Sequence, residues 1–272
     1  RSRVPAWLAY LANKTLHIPF VTTVHGLNSV NKYSEIMTKG DRVICVGEAV
    51  KDHIMSGYSL EYKKDKITVI QRGVDTELFN EKSVDTDFVT KFKKDFGLNG
   101  KFIVTSVGRI TWLKDYETFI DAIAIAKKDI PNIVGVIVGG ASANKNDYLE
   151  SLKNLADKLN INEEIKFAGS QSNMPEVYYL SDILINASLK MGNVARTIVE
   201  ALALNTPVIA TTYEGLNNII KNGLNGAIIE TRNPRQLAEK IIEVKNHNYK
   251  NISHTIPAEY TLNRMVDSTL KV

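Results

Sequence analysis

The sequence predicts an α/β chain of two Rossmann-like layers, the first incomplete with three parallel strands and the second a doubly wound parallel sheet of six. Two observations carry this. Short β-branched runs alternate with segments of helical apolar spacing along most of the chain. In addition, the stretch from Ile183 to Thr212 reads strand, small-residue loop, helix, strand, a βαβ unit that must be parallel and is normally right-handed.

Taken in order, Val4 to Lys14 carries apolar side chains at helical spacing, and Ile18-Pro19-Phe20 leads into the strand-like FVTTVHG. Tyr33 to Lys39 reads as a short helix, Arg42 to Val46 as a strand, Glu48 to Tyr58 as a helix and Lys66 to Gln71 as a strand. A parallel layer needs cover on both faces, and so short a layer leaves little room for it. From Glu81 to Lys94 the composition turns polar and charged, and FGLNG marks a turn. The domain boundary is placed there, giving residues 1–95 and 96–256 as the two domains.

Beyond it, FIVTSVG is a strand, Tyr116 to Lys128 a helix, NIVGVIVGG a strand, Asp147 to Leu159 a helix, EIKFAG a strand and Pro175 to Ser181 a helix. After the βαβ unit come a short helix from Gly215 to Asn222, the strand AIIE and a helix from Pro234 to Val244. Residues 257–272 read as one last helix. No internal repeat or low-complexity tract interrupts this order.

With 272 residues and 44% hydrophobic content, the chain can bury one or two cores. Its 34 basic and 30 acidic side chains are scattered, and a net charge of +4 is too small to argue for nucleic acid. A mildly basic face suits phosphate-bearing ligands or an anionic membrane surface. The single cysteine, Cys45, lies in the apolar run RVICVG and reads as a buried small hydrophobe. No disulfide can form within the chain, which suits a reducing cytosol and a cytoplasmic location. No apolar run approaches the roughly 18 residues that span a bilayer, and no signal peptide is recognised. The chain opens on Arg1 rather than methionine, which reads as a fragment or one half of a split protein.

In open parallel sheets a ligand sits outside the carboxyl ends of the strands. The loop from Ala187 to Asn193 would lie there, and the helix expected from Val194 would aim its unpaired N–H groups at the same crevice, an end that attracts phosphate. Ala195, Arg196 and Thr197 open that helix, and Glu200 follows on its apolar face, VEALAL. A carboxylate there needs donors, either a ribose diol or a structural backbone or basic group.

Arg109 and Lys114 follow Gly108 at the end of another strand. They are either ordinary surface cations or, at a switch-point loop, two arms of a diphosphate clamp: arginine a planar fork, lysine a mobile point charge. Gly139-Gly140, and Lys166 to Gly169 with Phe167, close two further strands, as plain tight turns or as places where a base or phosphate nears the backbone. His25 closes VTTVHG and is either structural or a contact to sugar or acceptor. The five histidines are dispersed without chelate spacing, GxGxxG is absent, and Ser170 and Ser188 lack a nucleophile-elbow context.

The run VEALALNTPVIATTYEGLNNIIKNGLNGAII resembles the donor-binding half of nucleotide-sugar-dependent glycosyltransferases of the GT-B type, in the large retaining group called family 4. That group carries a Glu-x7-Glu pair: Glu200 matches the second glutamate, Gly192 stands where the first belongs, and Val194 and Ala195 replace an aromatic and a glycine. Gly108-Arg109 followed by Lys114 matches the family's spacing, TVHG around His25 has a counterpart, and QRGVDTELF is similar to the family's Asn-Gly-Val-Asp hinge turn, with Arg72 in place of asparagine.

The resemblance implies two GT-B domains with the last helix packed on the first. It implies a nucleoside diphosphate sugar bound in the interdomain cleft, and transfer with retention to a saccharide or lipid-linked acceptor without cofactor or metal. Arg109, Lys114 and His25 would be catalytic. Gly108, Gly139, Gly140, Phe167, Gly169, Gly192, Ala195, Arg196, Thr197 and Glu200 would bind substrate.

GT-B enzymes begin with a strand and glycine-rich loop, of which nothing precedes Arg1, so the resemblance implies an N-terminal truncation. Activity is expected to be impaired by this and by Gly192. A partner chain supplying the missing segment, and peripheral contact with the cytoplasmic membrane face, complete the expectation. The rivals are a non-catalytic nucleotide-binding remnant or half of a split enzyme, and after them a GT-B epimerase. The asparagine, lysine and isoleucine content suggests a bacterial surface polysaccharide or glycolipid setting.

Overall fold

The computed structural model describes residues 2–141, 146–190, 195–213, 215–247, 249 and 251–272. The chain forms two units, one mainly of residues up to Val74 with Ala258–Val272, the other of Asp75–Lys190 with Arg196–Pro257. Both sheets are parallel, of three and six strands, so the predicted α/β class holds.

In the first unit β1 (Val21–Val24), β2 (Arg42–Cys45) and β3 (Ile67–Val69) pair in that order. Two helices, α1 (Arg3–Leu16) and α2 (Glu48–Gly57), supply cover, and Ile36, Val43, Cys45, Val50 and Ile54 form the core. The expected helix at Tyr33–Lys39 is a 3₁₀ turn over Ser34–Thr38. Burial pushes the Cys45 thiol up to about 12, so it packs as a hydrophobe and is no nucleophile.

The tail is shorter as a helix than its spacing predicts: a 3₁₀ turn at Ala258–Tyr260 precedes α9 (Leu262–Leu270), which Thr261 caps by accepting the Arg264 N–H. Thr261 pairs with Val74, whose N–H donates to the Tyr260 carbonyl at 2.8 Å and whose carbonyl accepts from Leu262 at 2.9 Å.

The second unit holds β4 (Phe102–Val107), β5 (Ile133–Val138), β6 (Ile165–Gly169), β7 (Ile183–Asn186), β8 (Val208–Thr211) and β9 (Gly226–Ile229), arranged β6-β5-β4-β7-β8-β9. Strand order reverses between β4 and β7, the switch point at which a doubly wound sheet opens a crevice. Alternation along the strands sorts their side chains to two faces. Ile133 and Ile137 of β5 join α4 (Tyr116–Ala126), α5 (Asn146–Lys158) and α8 (Pro234–Asn246) in one core. Val134, Val136 and Val138 join α3 (Thr86–Asp95) and α6 (Met174–Tyr179) in the other.

Helix α3 begins within the polar, charged stretch Glu81–Lys94, to which the sequence reading assigns no helix. Asp85 caps it by accepting from Asp87 and Phe88 at 2.9 and 3.1 Å, and Val89 and Phe92 are buried beneath its charged face. The expected helix at Gly215–Asn222 is only a 3₁₀ turn, Leu216–Asn218. Buried Asn225 competes there: it accepts from the Lys221 N–H and donates to the Ile219 carbonyl, both at 2.8 Å. No helix among the described residues is long and apolar enough to cross a membrane.

Candidate functional site

The carboxyl ends of β4, β5 and β6 are tied together through glycines. Gly108 N–H donates to Val138 at 2.9 Å, Gly139 N–H to Gly169 at 2.8 Å, and Ile110 N–H to Gly140 at 3.1 Å. The strand ends come so close that a Cβ on Gly139, whose φ is +154°, would lie 1.9 Å from the Gly108 carbonyl oxygen. That oxygen also accepts the Tyr116 hydroxyl at 2.7 Å, from a fully buried ring. Gly139 is thus required by strand packing, whereas a Cβ on Gly140 would meet the Ser170 hydroxyl at 2.6 Å and Gly169, left-handed at φ +67°, has nothing within 4 Å of a Cβ; Phe167, half-buried on β6, pairs with Ile137 in register.

After β4 the chain exposes Arg109 and turns through a 3₁₀ segment, Trp112–Lys114, into α4. Asp115, buried and left-handed at φ +50°, caps α4 by accepting the Thr118 N–H at 3.5 Å, and its other oxygen accepts the Thr118 hydroxyl at 2.8 Å. This turn lays the Lys114 side chain across Gly108, where any Cβ would stand 2.7 Å from Cε. Lys114 Nζ donates to Ser188 Oγ at 3.1 Å, and the Leu189 N–H donates to the Leu113 carbonyl at 2.9 Å, so the loops after β4 and β7 are held together. Burial, and then the Arg109 charge, lower the Lys114 pKa from the ordinary lysine value. The two cations are near enough to interact, and the ammonium is held largely out of water.

From Ser188 the contacts continue to α7 (Arg196–Ala203). The Ser188 N–H donates to Asn186 Oδ1 and Asn186 Nδ2 donates to Thr197 Oγ1, each at 3.4 Å, while the Thr211 hydroxyl donates to the Ser188 carbonyl at 2.7 Å. Lys114, Ser188, Asn186 and Thr197 therefore form one chain of contacts across the switch point. Ala195 immediately precedes α7; Gly192 and the expected helix start at Val194 lie outside the described residues.

Glu200, 7% exposed, has a partner on each carboxylate oxygen: Arg196 Nη2 lies 2.9 Å from Oε1, and the Tyr178 hydroxyl donates to Oε2 at 2.8 Å. Burial and then the Glu200 charge hold the Tyr178 pKa well above the ordinary phenol value, so the hydroxyl remains a donor.

His25 belongs to the other unit, where it follows β1 and lines a cavity of about 280 Å³ with Arg3, Asn28 and Met37. Asp75, in the segment read as a hinge turn, accepts the N–H groups of Glu77 and Leu78 at 3.0 and 3.2 Å. A cavity of about 310 Å³ in the second unit, lined by Ser181, Asn205 and Thr206, lies at the opposite, amino-terminal end of β7 and β8, away from every residue singled out in the sequence. Among the described residues no group of three His, Cys, Asp or Glu is disposed to hold a metal ion.

Sequence reasoning missed Ser188 and Tyr178. Ser188 lies in the crevice loop expected from the sequence, but its bond to Lys114, 74 positions away, has no local signal. For Tyr178 there was no local signal, since its partner is 22 positions away.

Residues 88–259 match the family model described as glycosyl transferases group 1, and residues 1–78 match that of glycosyltransferase family 4. An uncharacterised glycosyltransferase of Methanocaldococcus jannaschii is 29% identical over 220 residues, covering 80% of this chain and 53% of the relative, so the chain spans about half that relative's length. The crystal structure of a glycosyltransferase from Rickettsia africae superposes with a TM-score of 0.87 at 29% identity, over 100% of this chain and 74% of that one. The Anabaena protein HepE in complex with UDP shares the fold, with a TM-score of 0.84 at 20% identity, over 99% of this chain and 77% of HepE.

Proposed function

Because the chain belongs to the glycosyl transferases group 1 family, we propose that it moves a sugar from a nucleoside diphosphate sugar to a saccharide or lipid-linked acceptor, with retention of configuration. The observation that carries this reading is Lys114, drawn over Gly108, hydrogen-bonded to Ser188 and depressed in pKa by burial and Arg109. An ammonium in that state gains more from an arriving dianion than a solvated one does, because its desolvation has already occurred. The fold neighbour that holds UDP supports a diphosphate as that dianion.

As the bond between sugar and diphosphate lengthens, negative charge grows on the departing phosphate oxygen while the sugar becomes cation-like. Lys114 and Arg109 stabilise the growing charge, and the tied strand ends keep them in place, so little reorganisation is needed. With side-chain cations supplying the positive charge, the reading calls for no metal ion and no cofactor besides the donor. Glu200 receives ribose hydroxyls, and His25 acts on the sugar or acceptor side. Gly192 offers no carboxylate to the transferred sugar, which weakens its recognition. Work at the cytoplasmic membrane face, in surface polysaccharide or glycolipid synthesis, fits the mildly basic charge.

The test is calorimetric titration of the chain with UDP, GDP, ADP and their common sugar conjugates, with Arg109→Ala and Lys114→Ala alongside. One diphosphate binding to the wild type and lost in both variants is the expected result. No binding by a folded wild type rejects the donor site. Binding without transfer to any saccharide or lipid acceptor rejects catalysis and leaves a nucleotide-binding module.

A further inference from the structure

We propose that the Glu200 carboxylate is divided between a fixed and an exchangeable partner: Tyr178 is a positioning residue for ribose recognition, and Arg196 is the counter-ion that the ribose diol displaces from Oε1. This rests on the donor-site reading above and assigns within it two roles that the sequence does not reveal.

The two partners differ in their freedom to leave. Tyr178 is 0% exposed; its ring packs 6.1 Å from that of Phe79, and its carbonyl accepts the Thr206 hydroxyl at 2.8 Å. Among the described residues Glu200 is the hydroxyl's hydrogen-bond partner, so withdrawal from Oε2 would leave a buried donor unsatisfied. Arg196 is the reverse. Its side chain is 44% exposed, and it occupies the first turn of α7, the positive end of a helix, where a cation is disfavoured. Among the described residues its ion-pair partner is Glu200, and at 44% exposure the guanidinium reaches water without crossing a buried region.

The buried carboxylate cannot be left bare on that side, because losing one partner of such a pair is costly. Whatever displaces Arg196 must therefore donate hydrogen bonds to Oε1 without bringing charge into the site. A vicinal diol does this, with two O–H donors spaced for a carboxylate oxygen. Each ionised oxygen accepts more than one hydrogen bond, so Tyr178 stays on Oε2 throughout and sets the plane in which Oε1 is presented.

The experiment is isothermal calorimetry with UDP, GDP and ADP, their 2′-deoxy forms and inorganic pyrophosphate, on wild type, Tyr178→Phe, Arg196→Ala and Glu200→Gln. Wild type should prefer the ribonucleotide by about tenfold or more, the scale of one hydrogen bond to a charged group. Tyr178→Phe and Glu200→Gln should lose most of that preference while pyrophosphate affinity stays within about twofold. Arg196→Ala should keep the preference, since the diol still finds Oε1. A merely structural Tyr178 would weaken all ligands alike or none.

Equal binding of ribo and deoxy forms by wild type overturns the inference while the donor site stands. So does a full preference in Tyr178→Phe, or its loss in Arg196→Ala. If Tyr178→Phe does not fold, the Arg196→Ala and Glu200→Gln arms decide. A wild type that binds no nucleoside diphosphate removes the donor site itself and this inference with it.

Discussion

The two parallel sheets are built by the same rule and covered very differently. In the second unit every residue of β5, β7 and β8 is buried, and α4 hides seven residues of its eleven. In the first unit α1 runs for 14 residues and buries only Ala6, while Val4, Leu8, Leu11 and Leu16 are each more than half exposed. The comparison teaches where a site can be held still. A loop hung between strands fixed on both faces keeps its side chains in place, and the Lys114 turn hangs from such strands. A layer with open apolar faces has less packing energy per residue with which to resist local opening.

The largest expected effect sharpens this contrast at its core. Phe119→Ala, at a fully buried position between α4 and β5, should cost about 3–5 kcal/mol in urea unfolding. A cost under about 1 kcal/mol would mean that the second unit is no better packed than the first. Next is Lys114→Ala. If the rigid loop exists to present this cation, transfer should fall about 10²- to 10³-fold, some 3–4 kcal/mol, with the melting temperature unharmed. A parallel loss of Tm would make Lys114 a structural residue.

The pH dependence of the same residue gives a smaller effect. Its pKa is lowered on folding, so between the folded value and 10.5 the unfolded chain binds the proton more tightly, and stability rises with pH there. The penalty is complete below the folded pKa and fades toward 10.5. Lys114→Met should therefore raise Tm by about 2 °C at pH 7, the gain shrinking as pH climbs. A gain that grows with pH contradicts the burial argument.

Cys45 reports on the first unit. With its thiol pushed up to about 12 and buried in β2, it should react with a thiol reagent only as fast as that layer opens. Labelling faster than amide exchange in β5 would confirm that the thinner layer opens by itself; equal rates would erase the distinction. The smallest effect is expected from Leu8→Ala, at 64% exposure, which should change stability by less than about 0.5 kcal/mol. A cost like that of Phe119→Ala would show that the α1 face is covered in solution.

Much of the architecture was legible because it is written in short periods. Val134, Val136 and Val138 alternate with Ile133 and Ile137, and that pattern announces a strand buried on both faces. Helix α3 escaped because lysines and aspartates dominate its composition, although the Asp85 cap and the spacing of Phe88, Val89 and Phe92 were there to read. Arg109 and Lys114 were legible as candidates from their place after a strand. Their state was not: the pKa of Lys114 is lowered by burial and then by the Arg109 charge, and its hydrogen-bond partner Ser188 is 74 positions away.

Glu200 marks the limit most clearly. Its apolar neighbours said that a carboxylate there must be satisfied, without saying by what. Arg196, four residues back on the same helix, could be inferred from helical geometry. Tyr178 lies on another helix, and only the packing of α6 beside α7 brings its hydroxyl to Oε2. The sequence by itself determined the two parallel layers, the strand ends and the residue types gathered there, because periodicity and turn chemistry are local. The tertiary structure alone decided which of those groups are partnered and which still have something to offer a ligand, because that depends on contacts between segments whose separation along the chain carries no information about their distance in space.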